Sequence, residues 1–185
     1  MNEIENILKR VRDTKALEFG VGAMKKIPAM FDSLFPGKTA VVVADKITYE
    51  IAGKTVHGYL EDAGINTDQP FVFTDPGLYA EWSYLDQLES YLEERDVIAV
   101  AVGLGVINDL TKLASYHLGR RYIIVGTAAS MDGYTSYGAS VTYHGNKQTF
   151  DCPAPLGMVM DPVVAAKAPA GITASGYGDL IAKIP

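Results

Sequence analysis

The stretch from residue 97 to residue 136 reads VIAVAVGLGVINDLTKLASYHLGRRYIIVGTAASMDGYTS. It begins with an unbroken apolar run, Val97 to Val102, which is short enough for a buried strand. After Gly103-Leu104-Gly105, apolar residues recur at helical spacing, and a second apolar run from Tyr122 to Val125 leads into a small-residue loop. The order strand, glycine turn, helix, strand and loop predicts a βαβ unit.

The glycine turn in this unit favours a phosphate-binding site. Gly103 and Gly105 lack a Cβ, so the backbone can turn sharply and approach a ligand closely. The helix that follows offers free N–H groups and a partial positive charge at its start. The dinucleotide fingerprint G-x-G-x-x-G is incomplete, because Asn108 stands in the third glycine position. A tight turn that binds nothing therefore stays open as the alternative interpretation.

Strands and helices alternate from residue 39 to residue 125. Apolar runs predict strands over residues 39–44 and 71–73, and amphipathic patterns predict helices over residues 47–63 and 79–94. The pattern predicts a mostly parallel, Rossmann-like α/β sheet with helices on both faces. The first of these helices is expected to turn its residues Ile51, Tyr59 and Leu60 inward.

Other segments lie outside this alternation. Residues 139–142 and 148–150 flank the polar sequence His144-Gly145-Asn146-Lys147, which predicts a β-hairpin. Residues 163–183 have a helical pattern, and Ile4, Ile7, Leu8 and Val11 predict a helix near the start of the chain.

Asp45 follows the strand predicted over residues 39–44 and allows two interpretations. An acid at a strand end can accept hydrogen bonds from ribose hydroxyls. It can equally cap the N-terminus of the next helix. The sequence leaves both roles open.

Composition limits the possible partners and the cellular location. The 185 residues, 48% of them hydrophobic, fit one domain of ordinary globular composition. A net charge of −6 argues against nucleic acid and anionic membranes as partners. Cys152 is the single cysteine, which excludes an intrachain disulfide and suits a reducing compartment. We see neither a signal peptide nor a transmembrane span in the sequence, and we expect a cytoplasmic protein.

Five motifs of the chain occur in an order and spacing that resemble one enzyme family. This is the glycerol-1-phosphate dehydrogenase branch of the iron-containing alcohol dehydrogenase and dehydroquinate synthase-like superfamily. Its glycine turn usually has three consecutive glycines, and Leu104 replaces the middle one here. The resemblance covers nearly the whole chain. The matching segments are Gly103 to Asp109 with Lys112, Thr127 to Gly133 with Ser136, the hairpin with Asp161-Pro162 after it, Ala168-Pro169, and Gly176 to Leu180.

The resemblance implies roles for individual residues. Thr127, Ser130 and Ser136 would line the cofactor cleft, and Asp45 would lie near the adenosine ribose. Asp132 would contact the substrate, while Asp179 would contact the substrate and act as the first metal ligand. The residues that would hold the pyrophosphate of NAD or NADP are Gly103, Leu104, Gly105, Val106 and Ile107, with Asp109 supporting the site.

The resemblance also implies a divalent metal, usually zinc and sometimes nickel or iron. The metal would polarise the carbonyl of dihydroxyacetone phosphate while NAD(P)H delivers hydride to give glycerol-1-phosphate. The family takes two histidine ligands from a helical second domain, and His57, His117 and His144 do not fit those positions. A catalytic metal normally needs three protein ligands, so we expect this chain alone to hold no metal and to be inactive.

The expected organisation is therefore an NAD(P)-binding Rossmann-like domain over residues 1–162 and the beginning of a truncated helical metal and substrate domain over residues 163–185. Ile172, Tyr177, Leu180 and Ile181 would be left exposed, which favours a homo-oligomer, disorder of this segment, or a missing C-terminal half as partner. Two alternatives stay open. One is a dehydroquinate synthase-like lyase with the same fold, NAD and metal, and the other is a nucleotide-binding module without turnover.

Overall fold

The computed structural model describes residue 6 and residues 8–183. The helix predicted through Ile4 and Ile7 lies largely outside the described residues. A six-stranded parallel sheet and a separate two-stranded hairpin make up the strands of the described chain. The strands are β1 (Ala16–Phe19), β2 (Thr39–Asp45), β3 (Phe71–Phe73), β4 (Val97–Gly103), β5 (Ile123–Gly126), β6 (Ala139–Tyr143), β7 (Asn146–Phe150) and β8 (Gly157–Met160).

Helices alternate with the strands of the sheet up to β5, as the sequence predicts, and two further helices follow β8. Short 3₁₀ turns precede the first helix (Ala23–Lys26) and the hairpin (Gly133–Thr135), and a π-helical segment, Tyr49–Gly53, joins the second helix to the third. The helices are α1 (Ile27–Leu34), α2 (Lys46–Thr48), α3 (Lys54–Asp62), α4 (Trp82–Glu93), α5 (Gly105–His117), α6 (Pro162–Ala165) and α7 (Ala170–Ile181). Among the described residues, none of these helices is long and apolar enough to cross a membrane.

The strand order β1-β8-β5-β4-β2-β3 and the parallel pairing of all neighbours confirm the predicted Rossmann-like α/β fold. Alternate residues of the central strands enter two separate cores. In β4, Ala99 and Ala101 pack with α4 and α5 on one face, whereas Val100 and Val102 pack with α1 and α3 on the other. The sheet is therefore covered on both faces, which agrees with the continuous apolar runs of its strands.

One expectation about side-chain direction is wrong. Ile51 is 46% exposed, although it was expected to turn inward with Leu60. Ala52, Val56 and Leu60 are buried and lie four residues apart, so they share one face of the helix. Ile51 precedes Leu60 by nine residues, which at 3.6 residues per turn places the two side chains on opposite faces. Ile51 consequently points towards the carboxyl edge of the sheet and lines an apolar cavity there.

The hairpin β6–β7 has a two-residue turn at His144 and Gly145, both with positive φ. Positive φ at both central residues is the signature of the type I′ turn, which is common in two-residue hairpin loops. His144 is exposed at the tip of the hairpin. On the inner face, Ala139 and Val141 are fully buried in the core beside α5. Their neighbours in sequence, Ser140 and Thr142, therefore face away from that core.

Candidate functional site

The strand order reverses between β2 and β4, which lie side by side in the sheet. The helices after β2 pack on one face, and α5, which follows β4, packs on the opposite face. A crevice opens at such a switch point beyond the carboxyl ends of the strands, where ligands of open α/β sheets bind. Asp45 ends β2 and Gly103 ends β4, so the structure brings these two predicted site residues to the same edge.

The loop after β5 leaves the sheet beside the glycine turn after β4. Gly103 and Gly126 are register partners in the β4–β5 ladder, and the Thr127 N–H donates to the Gly103 carbonyl at 3.3 Å. The loop from Thr127 to Ser130 and the turn from Gly103 to Ile107 therefore leave the sheet together. Had the strands been antiparallel, the two loops would lie at opposite ends of the sheet.

The turn after β4 leaves little room for a side chain at either of its glycines. Neither Gly103 nor Gly105 is among the described glycines with positive φ, so the turn does not use their conformational freedom. A Cβ on Gly103 would lie 2.7 Å from the Ile107 side chain, whereas one on Gly105 would lie 3.2 Å from Sδ of Met131. The absence of a side chain at Gly103 thus lets Ile107 of α5 pack against the turn. The absence of a side chain at Gly105 leaves room for Met131 beside the start of α5.

The N-terminus of α5 is open to a ligand. Its N-cap residue is Leu104, and no side chain of the described residues caps the helix. The first-turn N–H groups, which include those of Val106 and Ile107, thus keep their capacity to bind an anion. Leu104 instead contributes its side chain to the apolar cavity that Ile51 also lines.

Asn108, which stands where the fingerprint has its third glycine, has a structural role. It is fully buried; its Oδ1 accepts from the Tyr122 hydroxyl at 2.7 Å, and its Nδ2 donates to the Tyr134 carbonyl at 3.3 Å. The Tyr134 hydroxyl in turn donates to the Ala128 carbonyl at 2.7 Å and lies 3.2 Å from Oγ of Ser130. Asn108 therefore helps to fix the loop after β5 on α5.

Two cavities flank the position of Gly105 and Met131. The first is an apolar slot of about 170 Å³ between the ends of β2 and β4 and the last two helices. Predicted residues Leu104 and Thr127 line it. The second is a polar cleft of about 410 Å³ beside the hairpin. It brings together five of the predicted site residues, which are Asp109, Ser130, Asp132, Ser136 and Asp179.

Asp45 caps α2. Its Oδ1 accepts from the N–H groups of Ile47 and Thr48, both at 2.8 Å, and the Thr48 hydroxyl lies 3.2 Å from the Asp45 N–H. The cap interpretation of the sequence is therefore the one seen in the structure. Both backbone N–H groups donate to Oδ1, so Oδ2 of Asp45 takes no part in these capping hydrogen bonds.

Lys112 and Asp109 form a largely buried ion pair beside the polar cleft. The Lys112 side chain is fully buried, and its Nζ donates to the carbonyls of Ser136 and Gly138 at 3.0 and 2.9 Å. It also lies 3.9 Å from Oδ1 of Asp109. Lys112 thus joins α5 to the segment that carries Ser136 into the cleft.

Burial shifts the pKa values of both members of this pair. Desolvation raises the pKa of Asp109 to about 6, while the Lys112 charge, the Ser140 backbone N–H and the Lys147 charge all act to lower it. Desolvation also lowers the pKa of Lys112. Since the folded-state pKa of Asp109 lies above its ordinary value, this group makes the fold less stable as pH rises from about 4 to about 6.

The helix α7 lies across the polar cleft because Gly176 has no side chain. A Cβ on Gly176 would lie 2.0 Å from the Ala129 carbonyl oxygen, which is impossible without moving the helix. The close approach lets Oδ2 of Asp179 accept from the Asp132 N–H at 3.1 Å. Lys183 forms an ion pair with the Asp132 carboxylate and lies 3.7 Å from Asp179. The hydrogen bond from Asp132 and the Lys183 charge lower the pKa of Asp179.

The described residues do not supply a metal-binding donor set. Within them, no three His, Cys, Asp or Glu side chains come together to hold an ion. Asp179 has Asp132 and the ammonium group of Lys183 as its neighbours. His117 lies at the opposite end of α5, about 18 Å along the helix from its start, and pairs with Glu89. These residues therefore do not fit a three-ligand catalytic metal.

The sequence of this chain matches the model of the family described as iron-containing alcohol dehydrogenase over residues 18–169. The chain belongs to the iron-containing alcohol dehydrogenase family. Two relatives named glycerol-1-phosphate dehydrogenase [NAD(P)+] refine this placement. The protein of Halalkalibacterium halodurans is 37% identical over 145 residues, which cover 77% of this chain and 36% of that protein. The protein of Methanosarcina mazei is 35% identical over 162 residues, which cover 88% of this chain and 44% of that protein.

Solved structures of two dehydrogenases share the fold. Glycerol dehydrogenase from Schizosaccharomyces pombe superposes with a TM-score of 0.76 at 24% identity, covering 91% of this chain and 42% of that one. Alcohol dehydrogenase from Oenococcus oeni gives a TM-score of 0.75 at 20% identity, covering 90% and 49%. The chain thus spans less than half the length of these relatives.

Sequence reasoning missed three residues that shape the site. Met131 lies over Gly105, Lys183 pairs with two cleft carboxylates, and Lys147 lines the cleft from the hairpin. Lys112 was recognised only as part of a motif, without its buried role. Its carbonyl partners, on Ser136 and Gly138, lie 24 and 26 residues further along the chain, so the local sequence could not indicate these contacts.

The contact of Gly176 generates a prediction with a matched control. Gly176→Ala should push α7 off the Ala129 carbonyl and break the hydrogen bond from Asp132 to Asp179. Hydrogen exchange at the Asp132 amide should then become faster. Gly178→Ala, whose Cβ meets no atom within 4 Å, should leave that exchange unchanged and stabilise the helix by about 0.5–1 kcal/mol. Equal exchange rates in the two variants would contradict the packing argument.

A second prediction concerns the buried ion pair. Lys112→Met should lower the free energy of unfolding by about 3–5 kcal/mol at neutral pH, because it leaves Asp109 and two carbonyls without their partner. It should also raise the pKa of Asp109 above 6, since the Lys112 charge lowers that pKa. Urea unfolding and a carbon-13 NMR titration of the Asp109 carboxyl measure the two effects. Lys147→Gln should raise the same pKa by a smaller amount, and a pKa unchanged in both variants would refute the assignment.

Proposed function

We propose that this chain is the nucleotide-binding part of an NAD(P)-dependent, metal-dependent glycerol-1-phosphate dehydrogenase-like oxidoreductase. The observation that carries the proposal is the junction of β2 and β4, where the uncapped start of α5 and the loop after β5 share one edge of a parallel sheet. That geometry suits a dinucleotide. The similarity to proteins named glycerol-1-phosphate dehydrogenase [NAD(P)+] supports the same cofactor class.

The dinucleotide would cross from the apolar slot to the polar cleft over Gly105. The turn from Gly103 to Ile107 would bind the pyrophosphate through backbone N–H groups. Thr127 would contact the cofactor on the slot side, and Ser130 and Ser136 on the cleft side. Asp109, which carries no hydrogen bond to the turn itself, would support the site by holding the hairpin at the Ser140 N–H.

The substrate would occupy the polar cleft. We infer that it is dihydroxyacetone phosphate, or glycerol-1-phosphate in the reverse reaction, from the relatives' name. A bound NAD(P)H supplies hydride to a carbonyl carbon. Asp132 and Asp179 would orient the substrate by accepting hydrogen bonds from its hydroxyl groups, and the hydrogen bond from the Asp132 N–H to Asp179 would keep the two residues together.

The metal of the family sets a limit on what this chain does alone. Because Asp179 lacks partner ligands among the described residues, polarisation of the carbonyl would need donors supplied from elsewhere. We propose that the chain binds dinucleotide without turnover until such donors are present. The relatives' name favours this assignment over a dehydroquinate synthase-like lyase.

The domain division and the assembly belong to the same proposal. Residues 1–162 would form the nucleotide-binding domain, and residues 163–185 would begin a helical domain. Every described residue of α7 is at least partly exposed, and Tyr177 and Leu180 are 67% and 53% exposed. Such apolar exposure favours a homo-oligomer or association with a separate C-terminal half.

The nucleotide site is tested by enlarging Gly105. Gly105→Val should weaken NAD(H) or NADP(H) binding by about ten-fold or more, because the side chain would enter the space of the pyrophosphate and displace Met131. Isothermal titration calorimetry measures the affinity. Gly58→Val on α3, where a Cβ meets no atom within 4 Å, is the control and should bind as the unchanged chain does. Equal affinity in Gly105→Val would refute the site.

A related prediction concerns cofactor choice. Asp45 should favour NAD over NADP, because a 2′-phosphate beside this carboxylate would meet like charge. Asp45→Asn keeps an oxygen that can cap α2, so it should raise NADP affinity relative to NAD while the chain stays folded. Calorimetry with both cofactors gives the ratio. An unchanged ratio would confine Asp45 to its capping role.

A further inference from the structure

The register of the hairpin gives it one polar face that lines the cleft. Directly opposed residues of an antiparallel pair share a face, and Ser140 is paired with Thr149 while Thr142 is paired with Lys147. These four side chains therefore lie on the face opposite to the buried Val141. Ser140, Thr149 and Lys147 line the polar cleft, and the Ser140 and Thr149 hydroxyls are 3.4 Å apart.

Lys147 is the cation of this cleft that has no fixed partner among the described residues. The other two are engaged, since Lys112 is bound to two carbonyls and Lys183 is paired with Asp132 and lies near Asp179. No hydrogen bond or ion pair of the described residues involves the Lys147 ammonium group. Its charge nevertheless reaches into the cleft, because it lowers the pKa of Asp109.

Different elements thus supply chemically different groups to the cleft. Asp132 and Asp179, from the loop after β5 and from α7, are carboxylates that can accept hydrogen bonds from hydroxyl groups. The hairpin supplies the hydroxyls of Ser140 and Thr149 and the ammonium of Lys147. Hydroxyl donors together with a lysine suit a phosphate group, for which lysine acts as a point charge.

We propose that the hairpin face formed by Ser140, Lys147 and Thr149 is the subsite for the phosphate group of a small phosphorylated polyol or ketone, with Lys147 as the residue that selects phosphorylated over unphosphorylated substrates. The proposal rests on the proposed function and adds to it the residues that read the phosphate. Without a free cation there, three carboxylates of the same cleft, Asp109, Asp132 and Asp179, would repel a phosphate dianion.

The test compares two ligands on the full 185-residue chain in the presence of saturating dinucleotide. Calorimetry should show that glycerol-1-phosphate binds and that glycerol binds at least about ten-fold more weakly. Lys147→Gln should reduce the affinity for glycerol-1-phosphate about ten-fold and leave that for glycerol unchanged. Lys54→Gln, which removes an exposed lysine paired with Glu50 on the far helix α3, should change neither.

Dinucleotide affinity, measured on the same variants, separates this proposal from the proposed function. Lys147→Gln should bind dinucleotide as the unchanged chain does, because Lys147 belongs neither to the glycine turn nor to the loop of residues 127–130, which are assigned to the dinucleotide. Dinucleotide binding without any preference for glycerol-1-phosphate over glycerol, or with equal preference in Lys147→Gln, would overturn the phosphate subsite alone. Absence of dinucleotide binding would overturn the proposed function, and the ligand comparison without dinucleotide would then decide the subsite.

Discussion

The parallel pairing of β4 with β5 is the constraint on which the arrangement of the site depends. It places Gly103 opposite Gly126, so that the chain leaves both strands at one level of the sheet. The start of α5 and the loop after β5 then lie side by side next to the end of β2. With β2 on the other side of β4, the strand order reverses at this edge and leaves a crevice between helices that pack on opposite faces.

A second layer of interactions holds the loops that this pairing brings together. Asn108 ties α5 to Tyr134, and Lys112 ties it to the segment that carries Ser136 and to the hairpin. The Asn108 amide and the Lys112 ammonium are both buried, and both donate hydrogen bonds to backbone carbonyls of residues 134–138. An unpaired buried amide or ammonium would be strongly destabilising, so the loop conformation and the fold are stabilised by the same contacts.

Sequence periodicity predicted the sheet because buried parallel strands are apolar throughout, as Val97 to Val102 are. The prediction for Ile51 was wrong, because Ile51 and Leu60, which were both expected to turn inward, lie on opposite faces of a helix with 3.6 residues per turn. The motif residues of the cleft could be named from the resemblance, and the structure brings five of them together. The contacts of Lys112 with Ser136, of Lys183 with Asp132 and of Gly176 with Ala129 could not be predicted, since each joins segments that are 24 or more residues apart.

The central claim, that a dinucleotide binds where β2 and β4 meet, is tested most directly by NMR. Nitrogen-15-labelled chain would be titrated with NAD+, and the perturbed backbone amides would be mapped on the structure. The account predicts saturable shifts concentrated at residues 103–107 and 127–130, at the open start of α5 and the loop beside it. Shifts that cluster instead in the cavity between α1 and α3, lined by Lys25, Asp32 and Tyr59, would contradict it.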